Sequence, residues 1–111
     1  MDRLAEALDA PETSLNRDAS IQRFEFSFEL AWRSIQDRAR EAGLDCRSPK
    51  GCLKLAFQQG WLDDEQRWLA ILDDRNLTSH TYNDATAGKI YGRLRGHLTA
   101  LRELLTALKA L

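Results

Sequence analysis

Apolar residues recur along this chain at the three- and four-residue steps of a helix, most clearly towards its carboxyl-terminal end. Ala87, Tyr91, Leu94, Leu98, Leu101, Leu105 and Leu108 follow one another in steps of 4, 3, 4, 3, 4 and 3. That spacing predicts a helix from Asp84 to Leu111 whose seam packs side by side against another helix, in the same bundle or in a second subunit. A second stripe comprises Ile21, Phe24, Phe28, Ala31, Trp32, Ile35, Ala39 and Ala42. At 100° per residue these fall within an arc of about 100°, the width of one core-facing side. The helix carrying them is expected to start near Asn16 or Asp18, either of which can cap free amides, and to stop at Gly43.

Three shorter blocks complete the pattern. Asp2 to Ala10 places Leu4, Ala7 and Leu8 on one side; Ser48-Pro49 opens a block with Leu53, Ala56 and Phe57 that ends at Gly60. Serine there can cap, and proline suits the first helical position. A fourth block begins around Asp63 or Asp64 and carries Trp68, Leu69, Ile71 and Leu72. The two prolines, Pro11 and Pro49, fall where the periodicity lapses, and the chain contains no valine, so strand is a poor expectation. The fold class predicted is all-α, a four- to five-helix up-and-down bundle forming a single domain over residues 1–111.

Phe26 and Leu30 break the amphipathic pattern. They lie four residues apart on the back of the second helix, nearly opposite its core stripe. Two large apolar groups there call for a second covering, either the amino-terminal helix or another protein chain.

Composition narrows the function classes. With 111 residues, 43% of them hydrophobic, the chain can bury a core yet is small enough to gain from a partner. Sixteen Lys and Arg against seventeen Asp and Glu leave a formal charge of −1, so no global field draws the protein onto nucleic acid or an anionic membrane. Any RNA contact must be local. Cys46 and Cys52, six apart, form neither a C-x-x-C pair nor half of a zinc site, and both are expected as reduced thiols. The start Met1-Asp2-Arg3-Leu4 lacks the apolar run of a secretory signal, and no stretch approaches the ~20 apolar residues needed to span a bilayer. A cytoplasmic protein without membrane association, metal or cofactor is expected.

One segment carries chemistry. Asp74-Arg75-Asn76-Leu77-Thr78-Ser79-His80-Thr81-Tyr82-Asn83 brings a fixed cation, a group that titrates near neutral pH and a phenol into ten residues. Arginine holds phosphate through paired, charge-assisted hydrogen bonds, and histidine can move a proton at cellular pH. On an unbroken helix Arg75 and His80 would point about 140° apart. The poor helix formers between them predict a break after about Leu77. His80 and Tyr82, two apart in an extended segment, would then project to one side, with Arg75 on the last helical turn. Asp84 would cap the final helix, whose positive end adds a contribution to phosphate binding. Plainer readings stand beside this one: Arg75 pairs with an acid, His80 caps a helix end, and Tyr82 is a core aromatic. Trp61 and Trp68 could stack on a base, but their spacing fits core packing better.

Arg17-Asp18-Ala19-Ser20-Ile21-Gln22-Arg23-Phe24-Glu25-Phe26, continuing through Phe28-Glu29-Leu30-Ala31-Trp32, together with Ser48-Pro49, Ala56-Phe57 and Arg75-Asn76-Leu77-Thr78-Ser79-His80-Thr81-Tyr82, resembles the nucleotidyltransferase substrate-binding protein family. That family lies within the HEPN superfamily, whose HepT-type toxins carry an arginine, four residues, a histidine, one residue and a tyrosine. The resemblance implies a HEPN-like bundle that forms a homodimer or higher homo-oligomer and works beside a cognate minimal nucleotidyltransferase. It implies metal-independent RNA cleavage by Arg75 and His80 in a cleft between protomers, with Asn76 in support. Tyr82 would be the AMP acceptor through which the nucleotidyltransferase silences the toxin. The alternative it implies is a non-catalytic subunit that binds nucleotide or substrate for that enzyme. Arg23, Glu25 and Glu29 would form a polar network at the cleft or serve as solvated charge.

Overall fold

A computed structural model describes residues 1–79 and 84–111, with the side chain of Asp84 excluded. Its helices are α1 (Asp2–Asp9), α2 (Ser14–Glu41), α3 (Pro49–Gln58), α4 (Glu65–Thr78) and α5 (Asp84–Lys109), and no strand occurs among the described residues. They form the up-and-down bundle expected from the apolar pattern. The 28 residues of α2, at 1.5 Å of rise each, span about 42 Å and set the 45 Å long axis of the molecule. α2 touches every other helix, α5 most extensively.

The helix ends follow from local chemistry. α2 begins earlier than Asn16 or Asp18: Thr13 is the cap, its side-chain oxygen accepting from the Asn16 amide at 3.1 Å. Asn16 instead donates its side-chain amide to the Pro11 carbonyl at 2.7 Å, tying down the α1–α2 turn. Ser48 accepts from the Gly51 amide at 3.0 Å with Pro49 in the first turn of α3, and Asp64 accepts from the Arg67 amide at 3.1 Å, as the sequence predicts. Gly43 and Gly60 both have φ 76°, the left-handed conformation that lets the chain turn away after α2 and α3.

Phe24, Phe28, Ala31, Trp32, Ile35 and Ala39 of α2 are buried as predicted, against Leu4 and Leu8 of α1, Cys52, Leu53 and Ala56 of α3, and Trp68 and Ile71 of α4. On α5 the buried line differs in phase from the expected one. Leu94, Leu98 and Leu101 are buried, but Ile90, His97 and Leu104 complete the line, while Tyr91, Leu105 and Leu108 are only partly covered. Both lines share Leu94, Leu98 and Leu101, and spacing alone cannot say on which side of them the neighbouring helix sits.

The expected state of the cysteines is corrected. The cysteines are not free thiols: Cys46 and Cys52 form a disulfide, with Cα atoms 5.0 Å apart. The spacing rules out a redox pair or a zinc ligand set but not a short loop closed on itself. The loop after α2 does fold back, helped by Gln36, which donates to the Cys46 carbonyl at 2.8 Å. For Phe26 and Leu30, expected to be covered by the amino-terminal helix or by another chain, the first alternative does not hold. α1 packs instead against the core side of α2, leaving Phe26 64% and Leu30 53% exposed. No helix among the described residues is long and apolar enough to cross a membrane.

Candidate active site

The break predicted after about Leu77 falls at Thr78, where α4 ends. Hydroxyl groups bring it about. Thr78 donates its side chain to the Arg75 carbonyl at 2.6 Å, and Ser79 donates its hydroxyl to the Asn76 carbonyl at 3.0 Å. These bonds occupy the carbonyls at the end of the helix, the competition that makes Ser and Thr poor helix formers. Arg75 and Asn76 therefore stand on the last turn of α4. Asn76 is exposed, whereas the Arg75 side chain is only 24% exposed. His80 and Tyr82, the other two predicted site residues, lie outside the described residues.

Arg75 meets α2 at Glu29. Its Nη2 lies 3.7 Å from Glu29 Oε1, and its Nε is buried without a hydrogen-bond partner among the described residues. The other carboxylate oxygen of Glu29 accepts from Trp32 Nε1 at 3.0 Å and from Arg33 Nε at 3.3 Å. The Arg33 guanidinium in turn lies over the Trp32 ring, 4.9 Å from its centroid. Two arginines from different helices thus share one carboxylate, and the indole beneath holds that carboxylate in place. Glu29 sits about 60° round α2 from Phe26, so this charged cluster borders the uncovered apolar face.

Behind Arg75 lies a network that spacing did not reveal. Asp74, 4% exposed, accepts from Arg93 Nε at 2.8 Å and Nη2 at 2.7 Å, and its Oδ2 is 2.7 Å from His97 Nε2. Burial alone would raise the Asp74 carboxyl, but the bonds from Arg93 and His97, with the charge of Arg93, outweigh it and hold the group below the usual carboxylate range. The same bonds push Arg93 further up. His97 also stacks on Phe24, with ring centroids 5.4 Å apart. A histidine in the middle of a leucine seam was the available signal: such a position needs a buried partner, and α4 supplies one acid that faces inward. The network fastens the end of α4 to α5, the two helices that flank residues 80–83.

Trp68 is buried in the core. Trp61 is half-buried and lines a cavity of about 300 Å³ with Asp63, Leu62, Glu103 and Leu104. Neither Arg75 nor Asn76 borders it. Among the described residues no cluster of His, Cys, Asp or Glu has the arrangement of a metal site.

The structure is thus an all-α bundle whose fourth helix carries, on its last turn, an arginine beside a carboxylate of the second. Residues 1–110 match the family described as nucleotidyltransferase substrate binding protein like, and the chain belongs to that family. It is similar to the probable ribonuclease HepT of Haemophilus influenzae, 32% identical over 95 residues, covering 81% of this chain and 65% of that protein. The match thus spans slightly less than two thirds of the relative's length. It is also similar to a protein of Thermus thermophilus known from a crystal structure: TM-score 0.88, 40% identity, 95% of this chain and 92% of that one.

Proposed function

We propose that this protein is a metal-independent endoribonuclease that acts as a homodimer and is silenced by its partner nucleotidyltransferase. The observation that carries the reading is Arg75 at the broken end of α4, partly exposed, held by Glu29 and bordering the uncovered face of Phe26 and Leu30. A second copy of the chain seated on that face would cover it and bring two sets of Arg75 and His80 to one groove. One His80 takes the proton from a ribose 2′-hydroxyl, whose oxygen attacks the adjacent phosphorus. The His80 of the partner subunit gives a proton to the departing 5′-oxygen. Arg75 stabilises the charge on the phosphorane between them, with Asn76 in support. The products are a 2′,3′-cyclic phosphate and a 5′-hydroxyl end.

Regulation would act on Tyr82. Its phenol oxygen attacks the α-phosphorus of ATP in the nucleotidyltransferase, pyrophosphate leaves, and the bound AMP sets bulk and negative charge where RNA phosphate must sit. Toxin–antitoxin pairing and a cytoplasmic setting belong to the same reading, because RNA and the partner enzyme meet there. Purified protein, incubated in a chelator with a single-stranded RNA and with its 2′-O-methyl counterpart, should cut only the first and leave cyclic phosphate ends. Cleavage of both, or of neither, contradicts the reading.

A second reading is a non-catalytic subunit that presents nucleotide or substrate to the nucleotidyltransferase. The family's description and the formal charge of −1, which gives no general pull towards RNA, favour it. It predicts tight co-purification with that enzyme and no RNA cleavage.

A further inference from the structure

Arg33 is the one member of the cluster around Glu29 that the proposed chemistry leaves without a task. It is also the most open: its side chain is 63% exposed, against 39% for Glu29 and 24% for Arg75. The two guanidiniums reach the same carboxylate from different helices, Arg33 from α2 at 3.3 Å and Arg75 from α4 at 3.7 Å, each on a different oxygen. A carboxylate and a phosphodiester offer a guanidinium the same pair of anionic oxygens. Where an acid stands between two arginines, a phosphate can stand too, and here Arg33 and Arg75 both reach the single carboxylate of Glu29. Trp32 makes the arrangement firm: it receives Arg33 on its ring face and donates its N–H to Glu29, so Arg33 is held in place without being buried.

We propose that Arg33 is a second phosphate-binding residue of this site, gripping a phosphate of single-stranded RNA next to the one held by Arg75. Glu29 keeps both guanidiniums oriented in the free protein and yields as RNA arrives. Arg33 thereby supplies the local attraction that the overall charge of −1 does not. The inference rests on the ribonuclease reading and adds to it a residue that sets affinity rather than rate.

The test is binding of a fluorescein-labelled 2′-O-methyl single-stranded oligonucleotide by anisotropy across a salt series, alongside cleavage kinetics on the unmodified RNA. Arg33→Ala should weaken binding and raise KM by roughly three- to tenfold with kcat unchanged, and lower the slope of log K against log salt by about 0.7, one phosphate contact. Arg33→Lys should restore the slope, which loss of packing on Trp32 could not explain. Glu29→Gln, which still accepts from Trp32 but no longer competes with phosphate, should bind more tightly than the wild type. Wild-type affinity and slope in Arg33→Ala, with cleavage intact, overturn the role of Arg33 alone. A wild-type protein that neither binds nor cuts RNA overturns the ribonuclease reading and this inference together.

Discussion

Asp74→Ala removes the carboxylate that joins α4 to α5. Its side chain is 6% exposed and accepts two bonds from Arg93 while facing His97 at 2.7 Å. The two partners left behind fare differently. Arg93, with 48% of its side chain exposed, can turn to water and loses little. His97, 9% exposed and stacked on Phe24, cannot. Breaking a buried charged network typically costs 3–5 kcal/mol, and discounting the Arg93 side puts the expected loss at about 3 kcal/mol. For a domain of this size that lowers Tm by about 12 °C.

The pH dependence has a definite sign. A carboxyl held below its ordinary range in the folded protein stabilises the fold above the unfolded value, near pH 4, and that stabilisation is lost as pH falls through the folded value. The stability gap between wild type and Asp74→Ala should therefore narrow as pH falls below about 4. Urea denaturation at several pH values, with Asp74→Ala, His97→Ala and the double variant, measures both the gap and the coupling. A loss under 1 kcal/mol at pH 7, or a gap unchanged down to pH 3, would refute this account of the network.

Further outcomes follow from the same geometry. Cys46→Ser should cost about 2 kcal/mol in oxidising buffer, the chain-entropy value for so short a loop, and almost nothing in reducing buffer; paired denaturation curves read the difference. Phe26→Glu with Leu30→Glu should leave helix content and Tm nearly unchanged, since both residues are exposed, while abolishing the proposed dimer as read by light scattering. A monomeric wild type would remove the basis for that interface. On the proposed function, Tyr82→Phe should keep the ribonuclease activity of the wild type yet gain no AMP-sized mass on co-expression with a cognate nucleotidyltransferase; an equal mass gain in the variant would place the modification elsewhere.

Local signals in this chain were readable where the deciding atoms are neighbours in sequence. Ser48, Pro49, Asp64, Gly43 and Gly60 act within four residues of themselves, and the hydroxyls that end α4 at Thr78 are of the same kind. The start of α2 was missed by two to four residues because Thr13, Ser14, Asn16 and Asp18 can all cap, and only the contact of Asn16 with Pro11 decides among them. Tertiary pairings left weaker traces. His97 fell inside a leucine seam without marking Asp74 as its partner, because the choice of acid depends on which side of α4 meets α5. The disulfide depends on a loop path, and the exposure of Phe26 and Leu30 on which side of α2 receives α1. Of the predicted site, Arg75 and Asn76 stand on the last turn of α4 as expected. The link from Arg75 to Glu29 and Arg33 joins residues more than forty positions apart and could not be read from spacing.

The most direct measurement is the rate of RNA cleavage by purified wild type, Arg75→Ala and His80→Ala, each confirmed as folded by circular dichroism. The account predicts that either substitution lowers kcat at least about a hundredfold while the fold is kept. Cleavage at the wild-type rate by both folded variants would contradict it.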